Sequence, residues 1–163
     1  MDKLISKSIH SLFSEKDIQA VLPNIPIYTY EELKNKTIND LLPASIILYQ
    51  DTKNMGHWTA VFLDRNRKIN FFDSYGYPPD YQLAFSRYNR LYDQKYLSNI
   101  IKDHNIIYND IRLQKKISSN TCGRWVVMRL LMKELTSREF SKLFIKQKFP
   151  PDWYICCLTL FAK

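Results

Sequence analysis

Three strand-like runs crowd into residues 44–73, and they constrain the fold more than anything else in the chain. Ala44–Gln50 (ASIILYQ) is a buried-type run, His57–Leu63 (HWTAVFL) is aromatic and β-branched, and Lys68–Asp73 (KINFFD) ends in a turn. The polar stretch Asp64-Arg65-Asn66-Arg67 between the last two predicts a hairpin. Asn105–Leu113 (NIIYNDIRL) reads as a fourth strand. Helical signals lie on both sides. Ser14…Asp17 and Thr29…Glu32 each set a cap hydroxyl three residues before a carboxylate, as a capping box requires. Gly76–Asp80 (GYPPD) breaks the pattern, and Tyr81–Lys102 then carries apolar residues at near-helical spacing. The clearest helix is Cys122–Leu135, apolar on more than one face and so expected to be buried; Arg138–Lys146 and Asp152–Phe161 follow. Strands in the middle with helices toward both ends predict an α+β fold, not alternating βαβ units.

The length of 163 residues favours one domain, 1–163, with a core that needs no staples. With 45% hydrophobic and 14% aromatic residues, the composition excludes disordered, collagen-like and low-complexity classes. No apolar run reaches the ~18–20 residues that cross a bilayer, and Met1–His10 lacks a signal-peptide core, so no membrane role is expected. Three cysteines, two of them adjacent, suit free thiols in a reducing compartment, and no Cys/His spacing suggests zinc. The net charge of +8 points toward an acidic partner such as nucleic acid. Glycine is scarce: Gly56, Gly76 and Gly123 are all there is.

Cys122 opens the buried helix, where free N–H groups and the positive dipole end favour a thiolate nucleophile and its own N–H can hold an oxyanion. The alternative is a small buried hydrophobe, as most free cysteines are. Gly123, next to it, would let a substrate backbone approach closely. His57 is the residue type that serves a cysteine as base, or else a surface histidine at a strand edge. Asp73 ends the neighbouring strand and could fix the His57 tautomer, or it is an ordinary turn residue. Gln114, placed at the end of the fourth strand, could donate to an oxyanion or be a solvated loop residue.

The ordered set Gly56-His57-Trp58, Phe71-Phe72-Asp73-Ser74-Tyr75-Gly76, Gln114 and Asn120-Thr121-Cys122-Gly123 resembles the Ulp1/adenain group of cysteine proteases. The match runs from about Ala44 to Leu135, and the segments Asn54–Phe62 and Phe72–Tyr77 are more similar to the adenoviral and virophage maturation proteases than to SUMO proteases. The resemblance implies a papain-like fold with a central mixed sheet and with Cys122 as nucleophile at a buried helix N-terminus. It implies His57 as base, Asp73 as acid, Gln114 in the oxyanion hole, and Trp58, Gly56 and Gly123 near the substrate. Thr121 stands where family cysteines often follow an acidic or small residue, and no upstream tryptophan offers the clamp that SUMO proteases close over Gly-Gly. Both departures favour the viral side.

The expected activity is therefore a cysteine endopeptidase that processes viral capsid or core precursors during virion maturation. It is expected to act as a monomer in virions and infected cells, with no metal or required cofactor. DNA is a candidate non-specific partner and activator, as on the adenoviral side, through basic clusters at Arg65–Lys68, Arg112–Lys116, Arg124–Lys133 and Lys142–Lys148. An activating peptide could attach at Cys156 or Cys157, although packing suits both better. The rivals are a SUMO or ubiquitin-like isopeptidase, an acetyltransferase with a similar His–acid–Cys set, and a non-enzymatic basic virion protein.

Overall fold

A computed structural model of the chain describes residues 2–53, 55–86, 88, 95–115 and 119–160. Asn54, Lys116, Phe161 and residues 87 and 89–94 of the 81–102 segment, on which sequence expectations also fell, lie outside the described residues. Helices α1 (Asp2–His10) and α2 (Glu15–Val21) lead into a short strand β1 (Ile27–Thr29), a 3-10 turn (Tyr30–Asn35) and α3 (Ile38–Leu41). Both expected capping boxes form: Ser14 with Asp17 starts α2, and Thr29 with Glu32 starts the 3-10 turn.

The three crowded strands are present as β2 (Ala44–Thr52), β3 (Met55–Leu63) and β4 (Ile69–Asp73), with β3 and β4 antiparallel as the polar connection predicted. After a 3-10 turn (Tyr81–Ala84) and α4 (Tyr96–Ile101), strand β5 (Ile106–Tyr108) joins β4 in parallel. The sheet runs β1-β2-β3-β4-β5 and is mixed, because β1 also pairs β2 in parallel. β1 went unread in the sequence. The fourth strand is far shorter than expected, because Asn109 onward leaves the ladder and Asn109 instead spends its side chain on the Asp73 backbone.

The helices α5 (Cys122–Leu131), α6 (Ser137–Lys142) and α7 (Pro151–Thr159) complete an α+β fold. Alternation along β3 sends Trp58, Ala60 and Phe62 into a core with Trp125, Val126 and Val127 of α5, while Val61 joins Ile47, Tyr49 and Leu97 on the other side. Eight of the ten α5 residues are buried, as the sequence suggested. The helix ends four residues earlier than expected, since Arg129 donates to the carbonyls of Met132 and Leu135 at 2.9 and 2.8 Å and holds the following turn.

That contact corrects the surface charge expected at Arg124–Lys133. Arg129 is fully buried under Phe62 and Phe140, and Arg124 is buried against Phe13 with Thr159 as its hydrogen-bond partner. Burial pulls both guanidinium groups down, Arg129 to about 10. Neither side chain adds to an outer face for nucleic acid.

The β2–β3 pairing slips between Gln50 and Thr52, and Asp51 is the residue it passes over. Gly56 faces this irregularity. A Cβ there would stand 2.0 Å from the Tyr49 carbonyl oxygen and 2.8 Å from the Gln50 Cα, both backbone atoms. Gly56→Ala is expected to lower stability by about 1–3 kcal/mol or more, read as a fall in thermal midpoint, because the strands themselves must part. An unchanged midpoint would mean that the slip is not fixed by close packing.

Candidate active site

Parity along β3 and β4 brings His57 and Asp73 to the same face of the sheet, and His57 Nε2 meets Asp73 Oδ1 at 2.9 Å with both side chains buried. The same carboxylate oxygen accepts the Tyr75 N–H at 2.7 Å, and the Asn109 side chain binds both the N–H and the carbonyl of Asp73. The carboxylate therefore cannot swing away from the imidazole. Nε2 donates to Asp73, which leaves Nδ1 free to accept a proton, and His57 shares its cavity with Cys122. Burial pulls the His57 imidazole down, but the Asp73 charge and hydrogen bond, with Cys122 in support, outweigh it. The imidazole is pushed up to about 10.

Cys122 is the first residue of α5. The usual cap is not made by Thr121, whose hydroxyl instead donates to the buried Asp152 Oδ1 at 2.6 Å. The Cys122 N–H makes no hydrogen bond among the described residues, so a backbone donor stands open beside the thiol. Gln114 lies beyond β5, in the irregular segment that follows it, and not at a strand end as expected. Its Oε1 accepts from the Ser74 hydroxyl at 2.7 Å, and its Nε2 donates to the Ser119 carbonyl at 2.6 Å and faces the Tyr75 hydroxyl at 3.2 Å. His57, Gln114 and Cys122 line one cavity of about 330 Å³.

The other expected contacts divide. Gly56 lines this cavity and a second of about 500 Å³, and Trp58 lines the second while its body packs into the core. Gly123 does not reach either cavity. It is buried against Phe13 and the Trp58 ring, where a Cβ would find atoms at 3.0–3.2 Å, so its smallness serves packing and not substrate approach. Replacing it should therefore cost stability at least as early as activity.

Several residues went unread. Tyr75 stacks on the His57 ring with centroids 4.7 Å apart and carries Arg112 at 5.3 Å from its own centroid. Burial and the neighbouring Cys122 raise its hydroxyl far above the ordinary range. Asp152, from the first turn of α7, accepts from Thr121 Oγ1, Trp125 Nε1 and the Lys115 N–H, and so ties the start of α5 to the segment carrying Gln114. Only contacts 27–37 residues apart in sequence reveal it.

The three cysteines are physically distinct. Burial pushes the Cys156 thiol up to about 11 and raises Cys157 as well, while Cys122 faces a histidine in an open cavity. A short exposure to iodoacetamide near neutral pH should alkylate Cys122 first, as read by peptide mass spectrometry; equal labelling of Cys157 would refute a privileged Cys122. Among the described residues no group of three or more His, Cys, Asp or Glu could hold a metal ion, and no helix is long and apolar enough to cross a membrane.

Fold and site together define the class: an α+β protein that sets a cysteine at a buried helix N-terminus against a His–Asp pair from adjacent strands. In sequence the chain is 36% identical to the uncharacterized protein V9 of Sputnik virophage, over 90% of this chain and 93% of that protein. The chain belongs to the same family as that virophage protein. No protein-family profile matches it. Among solved structures, the SUMO protease Ulp1 with its catalytic cysteine oxidized to a sulfinic acid gives a TM-score of 0.30 at 19% identity, covering 99% of this chain and 74% of that one. The C-terminal Ulp1 protease domain in complex with Smt3, the yeast orthologue of SUMO, gives the same TM-score and identity. A TM-score of 0.30 is too low for either likeness to bear on fold or function.

Proposed function

We propose that the chain is a cysteine endopeptidase that cleaves viral structural precursors. The observation that carries the reading is one buried imidazole, held through Nε2 by Asp73, in the cavity that Cys122 and Gln114 also line. The Cys122 thiol proton resides on His57 Nδ1 in a thiolate–imidazolium pair, and the thiolate Sγ attacks the scissile carbonyl. The Cys122 N–H and a Gln114 Nε2–H receive the developing oxyanion, the latter by exchanging the Tyr75 hydroxyl for it. The tetrahedral intermediate collapses, the C–N bond breaks, and His57 returns the proton to the leaving amine. Water then attacks the thioester, again with His57 as base, and frees the acid and the thiol. Throughout, Asp73 holds the ring in one tautomer.

The virophage relative supports a viral origin; on this reading the enzyme acts in virions or infected cells, on the proteins of the particle. The deciding experiment incubates the purified chain with the structural precursors of its own virus and, separately, with SUMO and ubiquitin conjugates, and sequences any new termini. New termini within the precursors, absent with Cys122→Ala, are expected. Cleavage of the conjugates alone would make it an isopeptidase, acetyl-CoA-dependent modification would make it a transferase, and no reaction would end the enzymatic reading.

A further inference from the structure

Building on the endopeptidase reading, we propose that the catalytic cleft carries a subsite for a cationic substrate side chain, lysine or arginine, with Asp51 as its counter-charge and Tyr77 and Phe85 as its walls. All three line the cavity that contains His57 and Cys122. Asp51 reaches that cavity at the slip in the β2–β3 pairing, which passes from Gln50↔Gly56 to Thr52↔Met55 and leaves Asp51 without a cross-strand partner. Irregularities of this kind beside an active site re-aim a side chain that regular pleating would place elsewhere.

Two acceptors in this lining stand without a partner of their own among the described residues. No cation lies within ion-pair distance of Asp51 among the described residues, although the chain carries a net charge of +8. Asp51 itself stands exposed at the cavity; desolvation raises its carboxyl, and His57 is the one charge that opposes this. Gln82, another wall residue, is 9% exposed and has a buried side-chain oxygen with no hydrogen-bond partner. A buried acceptor left unpaired is costly, and a donor arriving through the cleft would satisfy it after a small side-chain adjustment. Tyr77 and Phe85 stack at 5.7 Å with 21° between their planes, and Phe85 is 54% exposed. Ring faces attract cations and pack against an aliphatic stem. Lysine and arginine offer donors and no acceptors, which complements the Asp51 carboxylate and the Gln82 oxygen. A glutamate would meet the Asp51 carboxylate with repulsion.

The test is a positional-scanning peptide library, with cleavage sites read by mass spectrometry, for wild type, Asp51→Asn and Asp51→Arg. Wild type is expected to prefer lysine or arginine over norleucine by about tenfold at one position flanking the scissile bond, the size a partly exposed ion pair plus a cation–π contact supplies. Asp51→Asn should flatten that ratio, and Asp51→Arg should invert it toward aspartate and glutamate. Each ratio is internal to one variant, so a general loss of activity does not move it, and Asp51→Asn alone decides the matter where Asp51→Arg fails to fold. A wild type with no cationic preference, or a preference that survives both substitutions, overturns the subsite and leaves the endopeptidase standing. A wild type that cleaves neither library nor precursor overturns the endopeptidase, and the subsite with it.

Discussion

Cys122→Ala will lower turnover by at least about a thousandfold while leaving the fold in place, on the scale seen when the nucleophile of a catalytic triad is removed. The cost to stability should be small, because Cys122 is only partly buried and sits at the helix end rather than in its packed interior. What is lost is specific: no other thiol can take its role, since Cys156 is buried in the core and Cys157 lies on α7, away from the cavity. Serine in place of the thiol keeps the volume and the proton but is far harder to ionise, so Cys122→Ser should fall nearly as far. The measurement is kcat/KM on a cleaved precursor beside a thermal midpoint for each variant. Residual activity within tenfold of wild type would dismiss Cys122 as nucleophile.

The parts of this architecture that were legible beforehand are those written locally. The strands β2, β3 and β4 announce themselves through apolar runs and a polar turn, and the caps at Ser14 and Thr29 through residues three apart. The Cys122, His57 and Asp73 set was readable because each lies at or near an element end whose type the pattern also gave, and chain order tied them together. Features that depend on distant contacts were not. Three residues of β1 form a strand only because β2 lies alongside, and Gln114 left its expected strand because Asn109 and Ser74 claim that segment for Asp73 and for Gln114 itself. Arg124 and Arg129 look like surface charge in any local window. They are buried because aromatic faces and the carbonyls of a helix end accept them, an arrangement that only packing can disclose. Gly123 was misread for the same reason: its neighbours Phe13 and Trp58 come from elsewhere in the chain.

Asp73→Asn should reduce turnover by about 10²–10⁴-fold with the local geometry nearly unchanged, since losing the acid while keeping its shape leaves the base in the wrong tautomer. Asparagine can turn its amide nitrogen toward His57 Nε2; that nitrogen then becomes an acceptor, the ring proton moves to Nδ1, and the face toward Cys122 can no longer take the thiol proton. The same substitution has a stability signature with a definite sign. The folded-state pKa of His57 is raised to about 10 from an ordinary 6.5, against the pull of burial, with the Asp73 charge as the principal raising cause. A raised histidine contributes stability that is fully present below the unfolded value and is lost as pH climbs through the folded one. Wild type should therefore exceed Asp73→Asn in thermal midpoint most clearly near pH 6, and the gap should close as pH approaches 10. A gap that stays constant from pH 6 to pH 10 would show that the carboxylate does not hold a charged imidazole, and turnover within tenfold of wild type would show that His57 does not need it.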